Sequence, residues 1–424
     1  MRDSWITKTF DQLGDILIGG TPARNNALFW SEENTGNAWV SIADLSKAGK
    51  KITNTKESIT DLGIRASNVK KIAKGSIIFS FKLSVGKKAI TGRELYTNEA
   101  IAAFLFNEKL VDNDYLYYGL DSIDYSKVTD SAIKGVTLNK EKLKRLTINL
   151  PPLPQQRKIA NILSTCDEVI EKTEAAIAKY QALKQGMMHD LFTRGIDVKT
   201  GKLRPSYQDA TELYKESELG MIPKDWVVEP LGEENESYAG GTPNRSIEHY
   251  YKGQIPWVSS GEVNKPFIYS TKEAISEEAL RFSSAKMAPK ESVLIAMYGA
   301  TAAQISMLKI EASTNQAVLA IIAGSCWNNY FIYYGLNFSK ERILFLAQGS
   351  GQPNLNKGMI DSTLFWKPNR KEQQLIVERL SALENKLQKE QSALAKYLKL
   401  KAGLMQDLLT GKVEVSVAEE VTSN

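Results

Sequence analysis

Apolar and polar positions alternate between two regimes along this chain. In one regime, Ile159, Leu163, Cys166, Ile170, Thr173, Ile177 and Tyr180 follow one another in alternating steps of four and three. Ile376, Leu380, Leu383, Leu387, Glu390, Leu394 and Tyr397 repeat those steps 217 residues later. Steps of this kind define the a/d seam of a heptad. Charged residues flank both seams, among them Glu168, Glu171, Lys172, Lys179, Glu378, Lys386, Lys389 and Lys396. No proline interrupts either stretch, and Pro154 falls at the first turn, where proline is tolerated. A helix from Pro154 to Phe192, at about 1.5 Å per residue, would be roughly 55–60 Å long.

The other regime precedes each helix and carries short β-type runs separated by turn residues. In the first such segment the landmarks are Gly19-Gly20-Thr21-Pro22, Trp39-Val40-Ser41-Ile42 and Ser76-Ile77-Ile78-Phe79-Ser80-Phe81. The first is a turn cluster and the other two predict strands. The aromatic run Tyr115 to Leu120 fits a helix or a strand. The second segment presents Gly240-Gly241-Thr242-Pro243, Trp257-Val258-Ser259-Ser260, Val293-Leu294-Ile295-Ala296 and Tyr333-Tyr334-Gly335-Leu336 in the same order. Strings such as Thr97-Asn98-Glu99-Ala100 and Thr314-Asn315-Gln316-Ala317 carry the offset of 217 residues into the mixed segments. Such a period is domain-sized and far longer than that of a solenoid, so the chain is a tandem duplication.

An isolated amphipathic helix leaves its stripe exposed, so each helix needs a partner. The expectation is that the two pack on one another, antiparallel about a pseudo-two-fold axis, with Thr173 and Glu390 interrupting the seam and fixing its register. The competing expectation folds each helix back on its own mixed segment. Residues 194–224, with Gly195, Gly201 and Pro205 and then an acid-rich stretch, read as a surface connector. Residues 411–424 read as a disordered tail.

Composition narrows the chemistry. A chain of 424 residues, 42% hydrophobic and 24% charged, has the balance of a globular protein with several cores. No apolar run is long enough to span a bilayer, and Met1-Arg2-Asp3-Ser4-Trp5 lacks the apolar core of a signal peptide. Cys166 and Cys326 stand far apart, which argues against disulfides and cysteine zinc sites. These features lead to an expectation of a reducing cytoplasm and no membrane. With only His189 and His249, histidine catalysis and metal clusters are poorly supplied. The net charge of +5 is compatible with nucleic acid without pointing to it.

The chain lacks the signatures of common catalysts. An amino-methyltransferase for DNA needs an (N/D)PP(Y/F) turn, and Asn149-Leu150-Pro151-Pro152 has the wrong order. Gly195 to Gly201-Lys202 has one residue too many for a phosphate-binding loop and continues into Leu203. Catalytic and metal residues are therefore expected to be none. Binding chemistry is better supplied. Lys82, Ser84, Lys87 and Lys88 surround a glycine turn after a predicted strand and suit phosphate oxygens. The matched loop of the second copy offers Tyr298, Thr301 and Gln304, the last able to pair bidentately with adenine. Thr21 with Arg24, and Thr242 with Arg245, place a hydroxyl and a guanidinium on matching turns, either as contacts or as parts of the turn itself. Ser350 and Gln352 lie in a glycine-containing loop that suits close backbone approach. The Tyr117-Tyr118 and Tyr333-Tyr334 pairs read as core aromatics.

Taken in order, these motifs resemble the specificity subunit of type I restriction-modification systems. The resemblance is carried by the Gly-Gly-Thr-Pro turns, the Thr-Asn-x-Ala strings, read as strands, and Leu138-Asn139 and Leu355-Asn356 ahead of the helices. Pro151-Pro152-Leu153-Pro154-Gln155-Gln156, Glu372-Gln373-Gln374 and Glu218 to Trp226 add to it. The second copy departs by reading Lys367-Pro368-Asn369-Arg370-Lys371 where the first reads Pro-Leu-Pro.

The resemblance implies an α+β fold. Two mixed α/β target-recognition domains, 1–152 and 225–368, are joined by two long antiparallel helices, 153–193 and 369–410, that form a coiled coil with a pseudo-two-fold internal repeat. It implies a non-catalytic chain that reads a bipartite, asymmetric sequence in double-stranded DNA and docks two methyltransferase subunits and restriction subunits. S-adenosylmethionine, ATP and Mg are expected in those partners. Helix pairing would fall to Ile159, Leu163, Ile170, Ile177, Tyr180, Ile376, Leu380, Leu383, Leu387, Leu394 and Tyr397. Two other readings remain at this point: a structural coiled-coil adaptor that binds DNA without sequence preference, and an intrinsic methyltransferase or nuclease.

Overall fold

The computed structural model of the protein describes residues 5–31, 36–82, 84–125, 138–347 and 353–416. The chain divides into two units, one made of residues 1–174 and 392–424, the other of residues 175–391. Each is built to the same plan. Among the described residues no helix is long and apolar enough to cross a membrane.

In the first unit a five-stranded sheet runs in the order Gly14–Ile18, Ile101–Phe106, Ile77–Ser80, Lys88–Thr91, Lys51–Ile52. Its neighbours are antiparallel except for the last pair. Ile77 to Ser80 and Lys88 to Thr91 are buried throughout, which is why Ile77-Ile78-Phe79 is apolar without alternation. A second sheet holds Trp30–Ser31, Glu57–Ile59, Asn37–Val40 and Tyr96–Thr97 in that order. The second unit repeats the five-stranded sheet as Glu236–Ala239, Val318–Ile322, Val293–Ala296, Ile305–Leu308, Phe267–Ile268. Its second sheet runs Glu273–Ile275, Ile255–Val258, Ala312–Thr314, Met287–Ala288.

Several repeated strings acquire local explanations. Asn139 and Asn356 are helix N-caps, accepting hydrogen bonds from the backbone N–H groups of Lys142 at 2.8 Å and Met359 at 2.9 Å. Gln156 lies buried at the start of the first long helix. Its amide accepts from the N–H of Asp112 at 2.8 Å and donates to the carbonyls of Leu110 at 3.0 Å and Pro151 at 2.8 Å. Gln373 makes the same three bonds, to Asn328, Cys326 and Pro368. These glutamines tie each helix to its own mixed segment. The aromatic run is helical, Tyr115 to Gly119 in the helix Asn113–Gly119 capped by Asp112 and Leu120 in the 3-10 turn that follows, and Tyr333 to Leu336 lies in the helix Asn329–Phe338. Tyr118, Tyr333 and Tyr334 are core residues.

The long helices are Leu153–Thr193 and Arg370–Leu409. In the first unit, Ile159 and Leu163 share a core with Leu408 and Leu409 and with the domain residues Tyr115, Leu116 and Tyr118. Further along, Asp167 pairs with Lys401. In the second unit, Leu191 and Phe192 share a core with Ile376 and Leu380, and Lys184 pairs with Glu384. Within each unit, then, numbers rise along one helical segment as they fall along the other. Within its unit, the start of each helix covers its own mixed segment and also packs on the late part of the other helix.

The predicted seam is dry where it lies nearest a mixed segment. Ile159, Leu163, Ile170, Ile376, Leu380, Leu383 and Leu387 are buried, whereas Ile177, Tyr180 and Leu394 are half-buried and Tyr397 is exposed. Two local readings need correction. Thr-Asn-x-Ala is not a strand: Thr97 ends one, and Asn98 then forms a turn whose side chain accepts from the N–H of Ala100 at 3.0 Å. The connector is not only surface loop, because Tyr214–Lys215 pairs with Ile222–Pro223 and Arg204 is buried against Glu372. Of the expected tail, Val415 packs against the core of the first unit, and residues 417–424 lie outside the described residues.

Candidate nucleic-acid interface

The Gly-Gly-Thr-Pro turns sit where a sheet strand crosses the Thr-Asn-x-Ala turn. A Cβ on Gly19 would lie 2.2 Å from the carbonyl oxygen of Asn98, and one on Gly240 would lie 2.0 Å from that of Thr314. Only a glycine lets the two backbones approach this closely. The carbonyls of Gly20 and Gly241 accept from the indoles of Trp39 at 2.9 Å and Trp257 at 3.0 Å. Thr21 then donates to Glu99, and Thr242 to Gln316.

Arg24 and Arg245 have matching surroundings. Arg24 forks onto Glu57 at 2.5 and 3.1 Å and lies 3.8 Å over the ring of Trp30. Arg245 forks onto Glu273 at 2.6 and 2.9 Å and lies 4.1 Å over the ring of Tyr251. The bond from Arg245 holds the carboxyl of Glu273 below its ordinary range. Both guanidiniums are about half exposed, but their forks are occupied by carboxylates. As placed here, each arginine stiffens its turn from within.

Glu99 gathers part of the predicted set in the first unit. The Thr21 hydroxyl, assisted by the charges of Lys82 and Arg24, keeps its carboxyl below the usual range. The adjacent loop leaves the strand Ile77–Ser80 and turns through Gly86 at a φ of 101°. The Ser80 hydroxyl accepts from the N–H of Lys87 at 2.9 Å, and Ser84 and Lys87 are exposed. Lys82 is half-buried, its ammonium 5.3 Å from the centre of the Phe81 ring. Lys88 does not belong to this surface. It is buried beneath Tyr117, paired with Asp121, and desolvation pulls its pKa down. Lys88 opens the fully buried strand Lys88–Thr91, whereas Lys87 still belongs to the exposed loop before it.

In the second unit the equivalent loop turns through Ala303, which adopts a φ of 56° where the first copy has a glycine. Tyr298 is exposed, and the Thr301 hydroxyl points back to the Tyr298 carbonyl at 3.3 Å. The amide oxygen of Gln304 accepts from Lys340 at 3.0 Å, which leaves its NH2 group for other partners. Ser350 and Gln352 lie outside the described residues. The structure thus brings Thr21, Arg24 and Lys82 together around Glu99, and separates Lys88 from them. Sequence reasoning missed the carboxylates Glu57 and Glu273, because nothing in their local context marks them as partners of a distant arginine.

Residues 3–179 and 223–397 each match the family described as the type I restriction modification DNA specificity domain. The chain belongs to this family. The MjaIX specificity subunit of Methanocaldococcus jannaschii is 25% identical over 97% of this chain and 94% of its own length. The EcoR124I/EcoR124II specificity subunit of Escherichia coli is 26% identical over 64% of this chain and 63% of its own. The S subunit of a type I restriction-modification system from M. genitalium has a similar fold, with a TM-score of 0.62 at 16% identity, covering 97% of both chains. The two family matches coincide with the two copies of the internal repeat, so the duplication seen in the apolar pattern is a duplication of the specificity domain.

Proposed function

We propose that this chain supplies sequence recognition to a type I restriction-modification complex, each of its two units reading one half of a bipartite, asymmetric DNA target. The observation that carries this reading is the contrast within the repeat. The sheets, turns, caps and helix starts match between copies, whereas the equivalent loops differ. One displays Lys82, Ser84 and Lys87, and the other Tyr298, Thr301 and Gln304. A homodimer presents identical readers and favours a palindrome, but unlike readers on one chain favour unlike half-sites. The ammonium groups of the first loop suit phosphate, and the amide and hydroxyls of the second suit base edges.

On this reading the long helices pair antiparallel as a coiled coil that spaces the half-sites and docks two methyltransferase subunits and the restriction subunits. The ion pairs Asp167–Lys401 and Lys184–Glu384, at matching positions of the repeat, support that arrangement. Catalysis, with S-adenosylmethionine, ATP and Mg, then belongs to those partners in the cytoplasm, and this chain contributes binding alone.

Mapping of methylated bases in DNA from cells that express the chain with its methyltransferase tests the proposal. A single split motif with two different halves is expected. Methylation scattered without a motif would favour an adaptor that binds DNA through charge alone, and methyl transfer by the purified chain by itself would favour an intrinsic enzyme.

A further inference from the structure

A polar cluster recurs at matching positions of both long helices. In the first unit Asp167 accepts from the Tyr118 hydroxyl at 2.6 Å and pairs with Lys401 at 2.5 Å. The same tyrosine hydroxyl lies 3.3 Å from Ser164, and Lys401 stands 5.8 Å from the centre of its ring. In the second unit Lys184 pairs with Glu384, the Tyr334 hydroxyl lies 3.2 Å from Ser381, and Lys184 stands 6.0 Å from the Tyr334 ring centre. Ser381, Glu384 and Lys401 are the repeat equivalents of Ser164, Asp167 and Lys184, at the common offset of 217 residues. The ion pairs are largely shielded, with side-chain exposures of 26% and 18% in the first unit and 23% and 10% in the second.

Each cluster joins three pieces: a helix of the mixed segment, the early part of one long helix, and the late part of the other. An apolar heptad seam looks the same after a slip of seven residues, so it cannot by itself choose among registers. The clusters can choose. A seven-residue slip would set Asp167 opposite Leu394 or Leu408, and Glu384 opposite Ile177 or Leu191. Either outcome strands a shielded carboxylate against hydrocarbon and leaves a lysine unpaired, a strongly unfavourable state. The slip itself is about 10 Å along the helix, or about three base pairs of DNA.

We propose that Lys401–Asp167 and Lys184–Glu384, each braced by its tyrosine and serine, are the positioning residues that fix helix register and so set the number of base pairs between the two half-sites. This rests on the reading that the two units recognise two half-sites. The test uses the complex of this chain with its methyltransferase subunits. The substrates are duplexes carrying both mapped half-sites at the native spacing, or with three base pairs added or removed. Wild type should strongly prefer the native spacing. The variant Asp167→Leu with Glu384→Leu, in which slipped registers meet apolar neighbours, should lose about tenfold of that preference. It should still reject a base change within either half-site as wild type does. The charge exchange Asp167→Lys with Lys401→Asp should retain the native preference.

Asp167→Asn with Glu384→Gln preserves shape and serves if the leucine variant fails to fold, with a smaller loss in the same direction expected. Leucine or amide variants that fold and keep the full spacing preference would overturn the register proposal and leave the half-site reading intact. A wild-type complex that treats all spacings alike would overturn both.

Discussion

Gly240 and Gly86 are both glycines at turns, yet they are needed for different physical reasons. At Gly240 the obstacle is space, since a Cβ would meet the Thr314 carbonyl at 2.0 Å. Gly240→Ala should destabilise the second unit by about 2–3 kcal/mol, read by denaturant unfolding. At Gly86 a Cβ would meet nothing within 4 Å, and the obstacle is the φ of 101°. Gly86→Ala should therefore be milder, about 1 kcal/mol. Its counterpart Ala303 already carries that strain. The depressed carboxyl of Glu273 gives a pH signature. Because its folded value lies below the ordinary 4.5, the stabilisation it gives is complete above that pH and is lost as pH falls through the folded value. The difference in Tm between wild type and Glu273→Gln should thus be present at neutral pH and vanish in acid. At this scale the sequence marked the turns and their arginines, but it could not show that the guanidiniums are held by carboxylates 33 and 28 residues away.

Among the elements, the connector departs most from its apparent character. Its composition suggests a solvated loop, yet Arg204 forms a salt bridge with Glu372 at 2.5 Å and another with Asp225 at 2.9 Å. Glu372 is fully buried and also accepts from the N–H of Ile196 at 2.8 Å. Arg204→Met would leave that carboxylate uncompensated and should cost about 3–5 kcal/mol in the second unit, measurable as a lowered denaturant midpoint. The first copy has Gln155 at the equivalent position and lacks this demand. The heptad spacing located the long helices well, because a 3.5-residue period over many turns admits few other structures. It was silent on the dual use of their starts, since a stripe shows that a face is covered without showing by what. The lysine and carboxylate members of the two polar clusters were hidden among flanking charges that resemble ordinary solvated faces. Only their shared offset of 217 residues could have drawn attention to them.

For the whole molecule, the duplication was the most legible feature, and it is the one that the family matches to residues 3–179 and 223–397 reproduce. Strand pairing was less legible, because parallel neighbours such as Lys51–Ile52 and Lys88–Thr91 are joined by long-range contacts that no local pattern announces. On the proposed reading, two unlike readers in one chain each specify half of the target. Its most direct test exchanges residues 1–150 for the corresponding segment of a relative with a different target, followed by methylated-base mapping in the assembled complex. Replacement of one half-site with retention of the other is the predicted result. A change in both half-sites, or in neither, would show that the two units do not read the target separately.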